Sequence, residues 1–174
     1  MSIAERIQES VMPSKTPRKK GAAAEMDILD KLGQEHDEVQ ELLKKLVDSG
    51  SGAERTQLFK KIKAALIPHL RAEEKVVYDR VLKLKEKDAK VDGNEGYDEH
   101  EVGDVMVKKL SRMRNKASPE FTAAAKVLKE LVDHHIEEEE SALWDHVKEN
   151  FSEDERLKMN RAFEAAKKKV RIPA

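Results

Sequence analysis

A chain of 174 residues is long enough to bury one substantial core, and 40% charged residues against 4% aromatic ones favour a charge-rich helical bundle over a sheet protein. A net charge of -1 gives no bulk attraction for nucleic acid or an acidic membrane surface. No cysteine is present, which excludes disulfides, thiolate metal sites and thiol catalysis; no apolar run approaches the roughly 18 residues of a membrane span, and without an apolar leader core a soluble cytoplasmic protein is expected.

In chain order, Ile3, Ile7 and Val11 recur every fourth residue, enough for a short amphipathic helix, and Pro13 to Gly21 reads as a basic, extended linker. Residues 1–22 are thus a solvated arm, or a docking arm through which a homo-oligomer or partner protein is held. A first long helix is expected over 24–48, with Leu32, His36, Val39, Leu43 and Leu46 on its inner line, the 4-3-4-3 spacing of a bundle seam. A second is expected over 53–87, with Phe59, Ile62, Leu66, His69, Glu73 and Val76 inward and a kink at Pro68. Asp92-Gly93-Asn94-Glu95-Gly96 reads as a turn, followed by a third helix over 97–115 with His100, Gly103, Val107 and Leu110 inside. Ser118-Pro119 opens a fourth helix running to 148, with Leu128, Val132, His135, Glu139 and Ala142 on one line. A last helix starts at the capping box Ser152 to Glu155 and ends near 169, with Phe163 closing one end of the bundle. The expected fold is an all-α, antiparallel up-down four-helix bundle over 23–150, with the arm before it and an extra C-terminal helix over 151–174.

The chain also repeats itself. His69, Glu73 and Glu74 align with His135, Glu139 and Glu140 at a shift of sixty-six, and Glu35-His36 aligns with Glu99-His100 at a shift of sixty-four. Each half is a helix with one histidine, then a helix with His-x-x-x-Glu, a spacing that stacks imidazole and carboxylate one turn apart on one face. His36, His69, Glu73, His100, His135 and Glu139 all occupy seam positions otherwise held by Leu, Val or Ile. Burying carboxylates there is costly unless they are paired or bind a metal, and up-down connectivity brings the six groups to one level. Six donors exceed what a tetrahedral structural zinc requires. Two metal ions bridged by the two glutamates use them all, and imidazole with carboxylate suits iron, while manganese or zinc also accept such donors.

This order of His, His-x-x-x-Glu, His and His-x-x-x-Glu on four helices resembles the hemerythrin-like HHE cation-binding family over about residues 25–150. The resemblance implies that His36, His69, Glu73, His100, His135 and Glu139 hold a non-haem di-iron centre, its two iron ions joined by an oxo or hydroxo bridge. It implies a small ligand such as dioxygen, hydrogen peroxide or nitric oxide, and either reaction with it or a sensing role read out by partner binding. The oxygen-carrying branch has a second histidine one turn after the first on the third helix, where this chain has Asp104. That branch also ends with a histidine and an aspartate five residues apart, where this chain has the four-residue pair His135 and Glu139. Both departures favour reaction with a small oxidant at an open position over reversible oxygen carriage.

Several neighbours compete for attention. His134 has its own four-residue partner in Glu138, but the seam and the repeat both select His135. His146 aligns with Arg80 and is expected at the rim. Glu74 and Glu140 are expected exposed or in the outer shell, and Glu35 and Glu99 are either solvated or hydrogen-bonded to a neighbouring helix's histidine. Tyr78 and Trp144 align and are expected to pack between helices, with Tyr78 near the metals as the functional alternative. Val39 aligns with Gly103, so either a close helix approach or an open space beside the metals is expected there. In the second case Asp104 serves as a further ligand or proton donor.

Overall fold

The computed structural model describes residues 26–173, so the arm expected over 1–22 lies outside the described residues. The described part is built from five helices, with no strand among its residues. Helix α1 is Ile28–Asp48. Helix α2 begins as Gly52–Glu73 and continues through one π-helical turn, Glu74–Tyr78, into a last turn, Asp79–Val81. Helix α3 is Lys87–Arg112. Helix α4 begins as Pro119–Glu138, passes through a second π-helical turn, Glu139–Leu143, and ends as Trp144–Asn150; α5 is Glu153–Lys167.

Short polar side chains set the helix starts. Asp27 accepts from the Leu29 amide at 2.9 Å, Ser118 from that of Phe121 at 3.2 Å, and Ser152 forms a reciprocal capping box with Glu155. Each satisfies an amide that would otherwise lack an intrahelical partner. Every long helix packs on its chain neighbours and α4 returns to α1, which closes a ring of four; α5 lies across α1 and α2. No helix of the described residues is long and apolar enough to cross a membrane.

The core is split in two. One cluster is centred on Leu43, Leu46, Phe59, Ile62, Phe121 and Leu128, the other on Ile28, Leu32, Val77, Tyr78, Val147 and Phe163. Along α1 the second cluster stops at Leu32 and the first begins at Val39, with His36 between them. Along α2 the first stops at Leu70 and the second resumes at Ala72 and Val76, around Glu73. A polar layer therefore crosses the bundle between two apolar ones. The far end is closed by the buried Arg55, which donates to the Lys116 carbonyl at 2.9 Å and Thr122 Oγ1 at 2.8 Å.

Four boundaries differ from expectation. The expected turn at 92–96 lies inside α3, and the break between the second and third helices falls at 82–86 instead. Gly93 and Gly96 are there for close packing: a Cβ on Gly96 would lie 2.7 Å from the Tyr78 ring, and one on Gly93 3.2 Å from Leu82. No described glycine has the positive φ of a turn glycine. Helix α3 consequently starts at Lys87, well before 97, and ends at Arg112, short of 115. Helix α1 starts at Ile28, because Asp27 is extended and caps it. Ala142 is exposed, since the extra residue of the π turn rotates the helix and brings Leu143 and Trp144 inward.

These packings predict opposite outcomes at two helical glycines. Gly96→Ala forces a methyl group into the buried Tyr78 ring and should destabilise the protein by about 1–3 kcal/mol in urea denaturation. A Cβ on Gly103 meets nothing within 4 Å, so Gly103→Ala should stabilise by about 1 kcal/mol through helix propensity alone. Equal stabilities for the two variants would show that Tyr78 does not depend on the gap at Gly96.

Candidate metal centre

The polar layer consists of the six residues singled out by the repeat, and none of His36, His69, Glu73, His100, His135 and Glu139 is more than 7% exposed. The imidazoles form two facing pairs. His36 and His69 have ring centroids 5.1 Å apart, and those of His100 and His135 are 4.8 Å apart with the two Nε2 atoms at 3.2 Å. The carboxylates link the pairs crosswise. Glu73 Oε2 lies 3.5 Å from His69 Nε2 and 3.4 Å from His100 Nε2. Glu139 Oε2 lies 3.3 Å from His36 Nε2 and 3.7 Å from His135 Nε2. Two groups of donors close enough to share a cation result, His36 with His69 and Glu73, and Glu73 with His100 and His135.

Behind each imidazole stands a second carboxylate. His36 Nδ1 meets Glu140 at 3.0 Å, His69 Nδ1 meets Glu35 at 3.0 Å, His100 Nδ1 meets Glu74 at 3.1 Å, and His135 Nδ1 meets Glu99 at 2.7 Å. An ionised carboxylate only accepts, so each Nδ1–H donates outward and each Nε2 turns its lone pair to the centre. Glu35 and Glu99 thus take the hydrogen-bonding alternative over solvation, and Glu74 and Glu140 belong to the outer shell. Glu35 is further held by Lys31 at 2.9 Å and by Lys167 of α5. Burial works to raise the Glu35 carboxyl, but His69 and the two lysines hold it at about 2.

A cation fits this donor set. Both oxygens of Glu73 and of Glu139 are buried without a hydrogen bond, as is His36 Nε2, and an uncompensated buried charge costs several kcal/mol. The lone pairs of His100 and His135, facing each other at 3.2 Å, need a positive charge between them. In the metal-free protein protons supply part of it: burial works to lower His69, but Glu73 and Glu35 raise it to about 10. Burial and the neighbouring Glu73 charge push Glu139 up, whereas the imidazoles of His69 and His100 hold Glu73 well down against its burial.

The neighbouring residues fall as follows. The His134 side chain is 60% exposed and faces Glu138 at 3.3 Å, away from the buried layer. His146 sits at the rim on Asp92, 3.1 Å away. Trp144 stacks on His36 with centroids 6.1 Å apart, while Tyr78 reaches the centre, its Oη 3.3 Å from His100 Nε2. Burial and the surrounding carboxylates push the Tyr78 phenol well up, so it keeps its proton. Asp104 corrects the expectation of a ligand or proton donor. Standing one residue beyond Gly103, it is turned about 100° round α3 and pairs with Arg71, which also binds Glu74. Gly103 itself lines a cavity of about 20 Å³ together with all four imidazoles, so the open-space expectation holds and the close-approach one does not. The two π turns escaped the sequence reading. Adjacent inward pairs such as Val77-Tyr78 and Leu143-Trp144 do not mark them, because Leu58-Phe59 and Ala124-Ala125 are buried in the same way within unbroken helix.

A family model described as the hemerythrin HHE cation binding domain matches residues 27–147. A protein of Nostoc sp. named DNA nickase is 28% identical over 146 residues, which is 84% of this chain and 40% of that protein. The chain therefore spans less than half the length of that relative. No solved structure matches.

The outer carboxylates generate a prediction. Glu35→Gln removes the charge that orients His69 and should weaken divalent-metal binding about 10–100-fold in calorimetric titration. Unchanged affinity would show that the hydrogen bond to His69 Nδ1 does not tune the centre.

Proposed function

The chain belongs to the hemerythrin HHE cation-binding domain family, and from that premise we propose that its bundle holds two iron ions and reacts with a small oxidant. The crossed contacts carry this reading: Glu73 touches one imidazole of each facing pair, and so does Glu139. Two positions, each with two imidazoles and a share in two carboxylates, use all six buried groups. Four protein donors per ion leave further positions for a small molecule, as a reactive rather than a purely structural site requires. Imidazole and carboxylate without sulfur suit iron, and manganese or zinc compete for the same donors.

When bound, an iron pair supplies electron transfer at two adjacent positions, which is what dioxygen, hydrogen peroxide or nitric oxide requires. The protein's own groups prepare the place. The four Nδ1–H bonds hold the rings with Nε2 inward, and the apolar side chains of Val39, Leu66 and Val132 line the cavity beside them. At about 20 Å³ that cavity accommodates one water-sized or diatomic molecule. Tyr78 holds a proton at Oη beside His100. A readout by partner binding falls on residues 1–22, outside the described residues. Action on DNA rests on the printed name of the Nostoc relative, of which this chain covers 40%, and a plasmid-nicking assay of the iron-loaded protein tests it directly.

Two predictions follow the ligand assignment and the cavity. His69→Ala and His135→Ala should each lose at least one iron per chain by elemental analysis, while His146→Ala keeps the full content; full content in His135→Ala would overturn the assignment. Gly103→Val should fill the cavity and slow azide binding and peroxide consumption about tenfold at unchanged iron content. Asp104→Asn should change neither, and wild-type kinetics in Gly103→Val would place the reacting molecule elsewhere.

A further inference from the structure

The repeat makes the centre nearly two-fold symmetric, but its two openings to the surface differ in charge. One cleft, of about 520 Å³, lies between α1 and α2 and reaches His69; its carboxylates Glu35 and Glu38 are balanced by Lys61 and Lys167. The other, of about 230 Å³, lies between α3 and α4 and reaches His135 and Glu139. Asp92, Glu95, Glu99 and Glu138 line it, with no lysine or arginine among its described lining residues. A cation entering from solvent is drawn to the second opening and meets no net attraction at the first.

That opening also carries a set of donors at its mouth. Glu99, His134 and Glu138 each present one ligand atom, all within 4.8 Å of one another. His134 Nε2 lies 3.3 Å from Glu138 Oε1 and 3.8 Å from Glu99 Oε1, and Glu138 Oε2 is buried without a hydrogen bond. Glu99 spans two levels, because its other oxygen accepts from His135 Nδ1 at 2.7 Å. The cleft wall includes Glu139, 4% exposed and with neither oxygen hydrogen-bonded. A buried carboxylate that meets only the imidazoles of His36 and His135 thus faces a passage whose entrance already gathers two more carboxylates and an imidazole.

We propose that Glu99, His134 and Glu138 form a loading site, where a divalent metal cation is first captured and from which it moves down the acidic cleft to the buried centre. The proposal rests on the reading of the six buried groups as metal ligands. Three mixed donors at an exposed position leave about half of a six-coordinate ion's positions to water, so capture is weak and release inward is quick. The transfer exchanges ligands only, with no change of oxidation state. His134 in this account serves the delivery of the ion, while His135, one residue on, holds it.

Manganese(II) added to the metal-stripped full chain at low ionic strength provides the test, with uptake followed by the loss of the free-ion paramagnetic resonance signal. The double variant His134→Ala/Glu138→Gln should load about tenfold more slowly, yet reach the same ions per chain at saturation and the same melting temperature once loaded. Glu38→Gln, an equal loss of charge at the opposite opening, should load at the wild-type rate. A wild-type rate in the double variant, or equal slowing by Glu38→Gln, overturns the route. Saturation content in His69→Ala is measured alongside: a value equal to wild type overturns the buried centre and the route together, whereas a rate failure with normal dependence on His69 overturns the route alone.

Discussion

Two glutamates buried with bare oxygens, facing four imidazoles, are the constraint on which the rest of this bundle depends. Carboxylates in an apolar core cost several kcal/mol without compensating charge, and here no serine, amide or arginine is placed to satisfy Glu73 or Glu139. Everything around them serves to concentrate positive charge at that level. The four imidazoles turn Nε2 inward because four further carboxylates hold their Nδ1 atoms from outside. The layer also separates the two apolar clusters, so the core's stability is drawn from above and below the site and not from the site itself.

The π turns are how the helices deliver this arrangement. One follows immediately after Glu73 and the other begins at Glu139. Adjacent glutamates at these turns take opposite nitrogens of one histidine: Glu73 meets His100 Nε2 from the centre while Glu74 reaches its Nδ1 from behind, and Glu139 and Glu140 do the same around His36. The added residue also swings Tyr78 and Trp144 against the imidazoles, where Gly96 leaves room for the Tyr78 ring. Symmetry ends at the surface. Helix α5 sets Phe163 against His69, with centroids 5.7 Å apart, and ties Lys167 to Glu35, whereas the His135 side remains open and acidic.

The six inward groups were legible because a polar residue in an apolar seam is conspicuous and because the repeat marks it twice. His135 was separable from His134 on the same grounds, since adjacent helical residues point about 100° apart. The segment 82–96 was misread because glycine has two uses. Gly93 and Gly96 signal a turn in sequence but answer to the bulk of Leu82 and Tyr78 on a neighbouring helix, which local sequence does not reveal. Asp104 was placed at the centre by proximity to Gly103, yet a single residue step on a helix and the reach of Arg71 take it away. The outer glutamates were half legible: each stands beside a ligand-type residue in sequence, but only the packing shows which histidine it meets.

The central claim is that the six buried groups surround a pair of ions. Diffraction data collected at the iron absorption edge from iron-loaded crystals test it most directly. The account predicts two anomalous peaks roughly 3.5–4 Å apart, both enclosed by His36, His69, Glu73, His100, His135 and Glu139. A single peak there, or iron only outside that layer, would contradict it.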